Sequence, residues 1–234
     1  MAMKITRVVL LTLTLITFIL IPIAGCERPM RTQTYDFTDF TRVEVGSAFI
    51  VEIVQSESYS ITITAGENLF DAIQVSKEGA TLEISGRWKT PFPPPKAEIA
   101  MPDLRELSLS GATNGSIEGF SSSHDIVIDL SGSSELKGNV TAGDAQFTIS
   151  GESSIELEGS AGDMDVNASG ASHVELSSFP VSNAYVVFTG ASSGTINLNG
   201  RLDANLSGAS DLRYVGEPTM GNITTSGEST VSKK

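Results

Sequence analysis

The sequence predicts an all-β protein, most of it a parallel β-helix or solenoid with coils of about 19 residues, and two observations predict it. A tetrapeptide recurs seven times, and each copy sits between runs of alternating apolar residues. The copies are Ser110-Gly111-Ala112-Thr113, Ser131-Gly132-Ser133-Ser134, Ser150-Gly151-Glu152-Ser153, Ser169-Gly170-Ala171-Ser172, Thr189-Gly190-Ala191-Ser192, Ser207-Gly208-Ala209-Ser210 and Ser226-Gly227-Glu228-Ser229. Their first positions lie 21, 19, 19, 20, 18 and 19 residues apart. A fixed period of this length marks a repeat architecture, in which one unit cannot bury its apolar face until a neighbour stacks on it.

Each repeat divides into two strands. Three residues before the motifs stand Leu107, Ile128, Phe147, Val166, Val186, Ala204 and Ile223; one residue before stand Leu109, Leu130, Ile149, Ala168, Phe188, Leu206 and Thr225. Residues two apart share a face of a strand, so these columns form an inner wall. A second alternation follows the motif, as in Ile155-Glu156-Leu157, Val174-Glu175-Leu176 and Ile196-Asn197-Leu198. The motif is therefore expected at a corner between strands, with residues 105–234 forming the solenoid. An antiparallel sandwich would show hairpin turns at 8–12-residue spacing, not identical tetrapeptides one coil apart.

The first 25 residues read as a signal peptide. Lys4 and Arg7 precede an apolar stretch from Val8 to Ile21, followed by Pro22-Ile23-Ala24-Gly25-Cys26. Ile23-Ala24-Gly25-Cys26 resembles the lipobox of bacterial lipoproteins. That resemblance implies a lipid on the Cys26 sulfur, removal of 1–25 and acylation of the new amino terminus. The alternative is an uncleaved membrane anchor; either places 27–234 outside the cytoplasm. Residues 26–34 form the lipidated cysteine and a polar tether. With one cysteine, the chain has no internal disulfide and no multi-cysteine zinc site.

Residues 35–104 are β-rich but lack the tetrapeptide. Val43-Glu44-Val45, Val51-Glu52-Ile53, Ile61-Thr62-Ile63 and Leu82-Glu83-Ile84 alternate, and a short helix-like stretch lies near Asn68–Ala72. These are expected to be opening coils or a cap. A proline-rich segment, 87–96, separates them from the repeats. The strings Phe40-Thr41-Arg42-Val43-Glu44-Val45, Gly66-Glu67-Asn68-Leu69 and Met101-Pro102-Asp103-Leu104, with the Ser-Gly-Ala-Ser corners, make residues 36–230 resemble the putative auto-transporter adhesin head domain family, the GIN domain. The resemblance implies an exported β-helical protein, often a lipoprotein, and supplies no catalytic residues.

The formal charge of -13 opposes nucleic-acid binding and docking of the folded body to anionic lipid. Gly190-Ala191-Ser192-Ser193-Gly194 matches the hydrolase elbow G-x-S-x-G, but no helix pattern follows it. His173 falls in a varied column with Asn114, Glu135, Ser154, Ser193, Asp211 and Thr230, as expected of a solvent-facing position; the other histidine is the distant His124. Asp144, Asp163 and Asp165 suggest an oxygen cluster for calcium, yet they are read as recurring at no common column, so no metal and no cofactor is expected. Carboxylate pairs such as Glu156 with Glu158 are abundant, but a catalytic pair needs a defined separation.

The reading is a non-catalytic, lipid-anchored envelope protein, adhesin-like or a scaffold. Its expected ligand surface is the ladder Thr113, Ser134, Ser153, Ser172, Ser192, Ser210 and Ser229, with Trp88 and Phe92. The expected partners are the membrane through Cys26, a glycan or a surface protein, and a second copy through an open solenoid end. The alternatives are a polysaccharide-cleaving lyase or glycosidase and a plain spacer.

Overall fold

The structure is a computed structural model and describes residues 29–89 and 91–234. The signal peptide and Cys26 lie outside the described residues. Two sheets face one another across a single apolar core. The eleven-stranded sheet runs Met30–Tyr35, Ser60–Gly66, Lys96–Met101, Ile50–Gln55, Asn114–Ser121, Glu135–Thr141, Ser154–Ser160, His173–Val181, Ser193–Leu198, Asp211–Val215 and Thr230–Lys233. The ten-stranded sheet runs Thr219–Thr225, Arg201–Leu206, Ala184–Phe188, Met164–Ala168, Ala145–Ile149, Ile126–Leu130, Glu106–Leu109, Arg42–Val45, Thr81–Gly86 and Ile73–Glu78. From residue 106 onward the chain alternates between the sheets, and every pairing between coils is parallel.

The register follows the columns of the sequence. Ile128, Phe147, Val166, Val186 and Ala204 stand abreast, as do Leu130, Ile149, Ala168, Phe188 and Leu206. All ten are buried. Register shifts at Gly138/Val140 and Leu176/Pro180 take up departures from the period. The second admits Phe179, which is fully buried with its ring centroid 5.9 Å from that of Phe147. At about 4.8 Å per strand, the ten steps of the longer sheet span about 48 Å.

Residues 35–104 extend both sheets. Arg42–Val45 pairs in parallel with Glu106–Leu109, and Ile50–Gln55 with Asn114–Ser121, so these strands make one coil stacked on the first repeat. Its corner, Gly46-Ser47-Ala48-Phe49, lies opposite the first tetrapeptide. There the fully buried Phe49 takes the place of Thr113, and Ser47 and Ala48 adopt positive φ of 71° and 64°. On that coil Thr81–Gly86 and Lys96–Met101 stack in parallel in turn, joined by the proline-rich segment, and beyond them antiparallel strands close the end of the core. A 3-10 helix at Glu67–Ala72 crosses between the sheets with Phe70 packed inward and the Arg31 guanidinium 4.7 Å from its ring centroid.

Candidate functional site

The tetrapeptide corners do not present a hydroxyl ladder to solvent. Thr113, Ser134, Ser153, Ser172, Ser192 and Ser210 are at most 1% exposed. Their side chains turn inward because the corner would otherwise bury a backbone carbonyl without a donor, which is costly. Thr113 Oγ1 donates to Ser110 O at 2.8 Å, Ser134 Oγ to Ser131 O at 2.8 Å, Ser172 Oγ to Ser169 O at 2.7 Å, Ser192 Oγ to Thr189 O at 2.9 Å and Ser210 Oγ to Ser207 O at 3.0 Å. Ser153 Oγ accepts from Ser134 N–H at 3.2 Å. In the last corner Ser229 is half-buried, its Oγ 3.4 Å from Gly208 O. The expected ligand surface at these positions is thus an internal brace. Ser192 of the elbow-like string is one of its rungs, fully buried with its hydroxyl committed.

The glycine of each motif explains why the motif repeats so strictly. Gly151 has φ of +79°, and a Cβ there would lie 2.3 Å from the carbonyl oxygen of Gly132 in the preceding coil. Glu152 N–H donates to that same oxygen at 2.8 Å.

The opposite corner carries a ladder of its own, and it corrects the reading that no aspartate recurs at one column. Asp125, Asp144, Asp163 and Asn183 are stacked on successive coils. Each Oδ1 accepts the backbone N–H of the residue one coil on: Asp144 N to Asp125 at 2.9 Å, Asp163 N to Asp144 at 2.8 Å, Asn183 N to Asp163 at 3.1 Å and Arg201 N to Asn183 at 2.8 Å. These carboxylates cap backbone donors. Among the described residues, no group of three or more His, Cys, Asp or Glu side chains is placed to hold a metal ion. Asp165, two residues past Asp163, stands on the outer face of the ten-stranded sheet instead. His173 is exposed, with Nδ1 3.0 Å from Ser193 Oγ.

The two aromatics of the proline-rich segment part company. Trp88 is half-buried against Phe49, ring centroids 5.5 Å apart, and its Nε1–H donates to Ser47 O at 2.6 Å. Phe92 is 78% exposed.

What remains open to a ligand is the outside of the sheets. On the eleven-stranded sheet Lys137 pairs with Glu135 and Glu156 at 2.9 and 3.5 Å, and Lys96 with Glu52 and Glu98 at 2.9 and 3.0 Å. The centre of the ten-stranded sheet differs. Val127, Gln146, Asp165, Tyr185 and Asp203 form one outward column, with Asp129, Thr148, Asn167, Val187 and Asn205 beside it. Tyr185 is 49% exposed and borders a groove of about 200 Å³ with Gln146, Thr148, Asp165, Asn167 and Val187. A neighbouring groove of about 240 Å³ continues over Asp125, Val127, Asp144, Gln146 and Asp163. At one end of this face Asp203 is held at about 2, by hydrogen bonds from Arg201 first and from Asn222 N–H second. Tyr185 drew no notice in the sequence because it breaks no pattern. Its signal was its parity: it lies between the inward Ala184 and Val186, whereas Phe179 and Phe188 of the same stretch are buried.

No match was found among curated proteins. A protein from Bacteroides fragilis, described as a putative adhesin, is similar at 20% identity and a TM-score of 0.79, over 88% of this chain and 98% of that one. A Parabacteroides distasonis protein described as a putative lipid binding protein is 19% identical with a TM-score of 0.69, over 88% and 96%. A putative adhesin from Parabacteroides merdae is 19% identical with a TM-score of 0.67, over 88% and 96%. At such identity these likenesses show a shared fold. The family described as "Putative auto-transporter adhesin, head GIN domain" matches residues 39–218, and the chain belongs to that family.

Proposed function

We propose that this chain is a non-catalytic, adhesin-like surface protein, anchored outside the cytoplasm by lipid on Cys26, that binds a polyhydroxylated polymer along the outer face of its ten-stranded sheet. The observation that carries this reading is the outward column Gln146, Asp165, Tyr185 and Asp203 beside Thr148, Asn167 and Asn205. A phenol ring offers an apolar surface to a sugar ring, while carboxylates and amides accept from and donate to its hydroxyls. The coils step about 4.8 Å along the solenoid axis, so these different side chains form one line that an extended chain is able to follow. The names given to the family and to its structural relatives agree with a surface-binding role. The buried state of the motif hydroxyls supports a role without a serine nucleophile.

The test is retention of the processed protein on a panel of neutral and acidic polysaccharides and native envelope polymer, with chain cleavage followed in the same samples. Retention that Tyr185→Ala abolishes, without cleavage, supports the reading. Cleavage overturns the non-catalytic assignment. Retention indifferent to Tyr185, or none at all, overturns the assignment of this face.

A further inference from the structure

We propose that the proline-rich loop at 87–95 is a second contact with the membrane, so that the anchored end of the solenoid rests on the lipid surface through Phe92. The proposal rests on the lipid-anchor reading of Cys26. Two chain segments leave the cap abreast and in the same direction. Met30–Tyr35 and Lys96–Met101 are each antiparallel to Ser60–Gly66, which lies between them, and are thus parallel to one another. Thr32 and Lys96 both stand opposite Thr64, about 10 Å apart at two strand spacings. Traced backward, the first leads through Pro29 to Cys26, and the second through Pro95 to Phe92.

The reach to the membrane is short. Glu67 N–H donates to Pro29 O at 3.0 Å, which pins Pro29 to the cap. Three residue steps then separate Pro29 from Cys26, an extended length of about 11 Å. A lipid on Cys26 therefore holds this corner against the bilayer surface. The loop is rooted at both ends, by Trp88 on Phe49 and Ser47 and by the buried Pro95, and its middle carries Phe92 outward.

The chemistry suits a lipid interface. An aromatic ring flanked by Lys and Arg is the composition that settles at headgroup depth. Of the 15 Lys and Arg, two (Lys4 and Arg7) precede Cys26, which leaves 13; five of these are Arg28, Arg31, Arg87, Lys89 and Lys96. Segment 87–96 contains no Asp or Glu. Lys96 is held by Glu52 and Glu98, and Glu67 and Asp71 lie in the adjoining 3-10 helix. The loop cations facing acidic headgroups are then Arg87 and Lys89, and the tether adds Arg28, with Glu27 between it and Cys26 in sequence. The acidic charge of the chain as a whole keeps other faces off such a surface.

Trp88 is the single tryptophan and stands four residues from Phe92, so its emission reads this loop. The processed chain, with lipid on Cys26 verified by mass, is incorporated into vesicles of acidic phospholipid with brominated acyl chains. Quenching of Trp88 is expected. Phe92→Ser is expected to shift the contact about tenfold toward the free loop, the factor for withdrawing most of one aromatic side chain from lipid, and to restore emission. Lys89→Glu is expected to weaken quenching in acidic vesicles and to leave quenching in neutral vesicles unchanged. Circular dichroism of each variant without vesicles verifies the fold. A lipidated chain whose Trp88 is unquenched, or quenched equally in Phe92→Ser, overturns the contact while leaving the anchor intact. An unmodified Cys26 overturns the anchor and the proposal with it.

Discussion

Replacing Gly151 by alanine tests whether the corner glycines are needed for their backbone angle alone or for the approach of one coil to the next. Gly79 is the internal control. Both have positive φ, +79° and +58°, but a Cβ at Gly79 meets nothing within 4 Å, whereas at Gly151 it meets Gly132 O at 2.3 Å and Gly132 C and N at 3.2 Å. The angle alone costs an alanine about 1–2 kcal/mol. The less flexible unfolded chain returns about 0.4–1 kcal/mol. Gly79→Ala is therefore expected to lose about 1 kcal/mol. At Gly151 the Cβ also has to gain about 1 Å of room against backbone. That separation stretches the bonds across the same gap, from Glu152 N–H to Gly132 O at 2.8 Å and from Ser150 N–H to Leu130 O at 2.9 Å. At about 0.5–1.5 kcal/mol each, they raise the loss to about 2–4 kcal/mol. With a urea slope on the order of 3 kcal/mol/M, a loss of about 3 kcal/mol lowers the midpoint by about 1 M. Circular dichroism reads the whole solenoid and Trp88 fluorescence reads the capped end. Both are followed, because stacked coils lose structure locally before they lose it globally. A midpoint for Gly151→Ala no lower than that of Gly79→Ala would refute the argument, since only the contact between coils distinguishes the two sites.

Ser172→Ala removes the buried donor to Ser169 O and is expected to cost about 1–3 kcal/mol in the same urea assay. Asp144→Ala leaves Asp163 N–H without its acceptor and is expected to lose about 1 kcal/mol. Asp144→Asn keeps an acceptor oxygen and should melt near the wild-type temperature, and calcium or a chelator should shift neither melt. Asp203 contributes stability with a defined sign: its folded value of about 2 lies below the ordinary 3.8, so the contribution is complete above pH 4 and disappears as pH falls toward 2. The pH dependence of the melting temperature over that window should therefore be shallower in Asp203→Asn. The outer edges of Thr219–Thr225 and Thr230–Lys233 pair with no other described strand, and two copies joined through them are expected to sediment as a dimer.

The solenoid was legible because its inner columns obey one constraint, burial, at a fixed period. Leu130, Ile149, Ala168, Phe188 and Leu206 state it in sequence and stack in space. Inside 35–104 the sequence leaves opening coils and a cap both open, because the corner that stacks on the first repeat carries no tetrapeptide to decide between them. That corner replaces glycine with Ser47 and the inner hydroxyl with Phe49, so the same geometry is reached without the same letters. The aspartate column was missed for a related reason. Asp125, Asp144 and Asp163 are spaced at one period, but Asn183 ends the run of identical residues, and backbone capping requires only a side-chain oxygen. The serine column was read correctly as a corner and wrongly as a surface, because a hydroxyl that serves an internal carbonyl and one that serves a ligand look alike in sequence.

That error bears on where recognition resides in such a fold. A residue repeated on coil after coil is one that those coils need, and in this chain such residues hold the coils together: the glycine that admits its neighbour's carbonyl, the hydroxyl beneath the corner, and, over four coils, the Asx oxygen at the opposite edge. Outward columns answer to no such requirement. Val127, Gln146, Asp165, Tyr185 and Asp203 occupy equivalent places on five coils and share no side-chain chemistry. Apart from Asp203, which accepts the Asn222 N–H of the next coil, substitution there is expected to leave the stack intact, so these positions are able to acquire a partner at little cost to the fold. The same reasoning applies to Phe92, which no coil repeats and which is largely exposed, on a loop fixed at its two ends. Strict repetition therefore points to the scaffold, and the departures from it on exposed faces point to function.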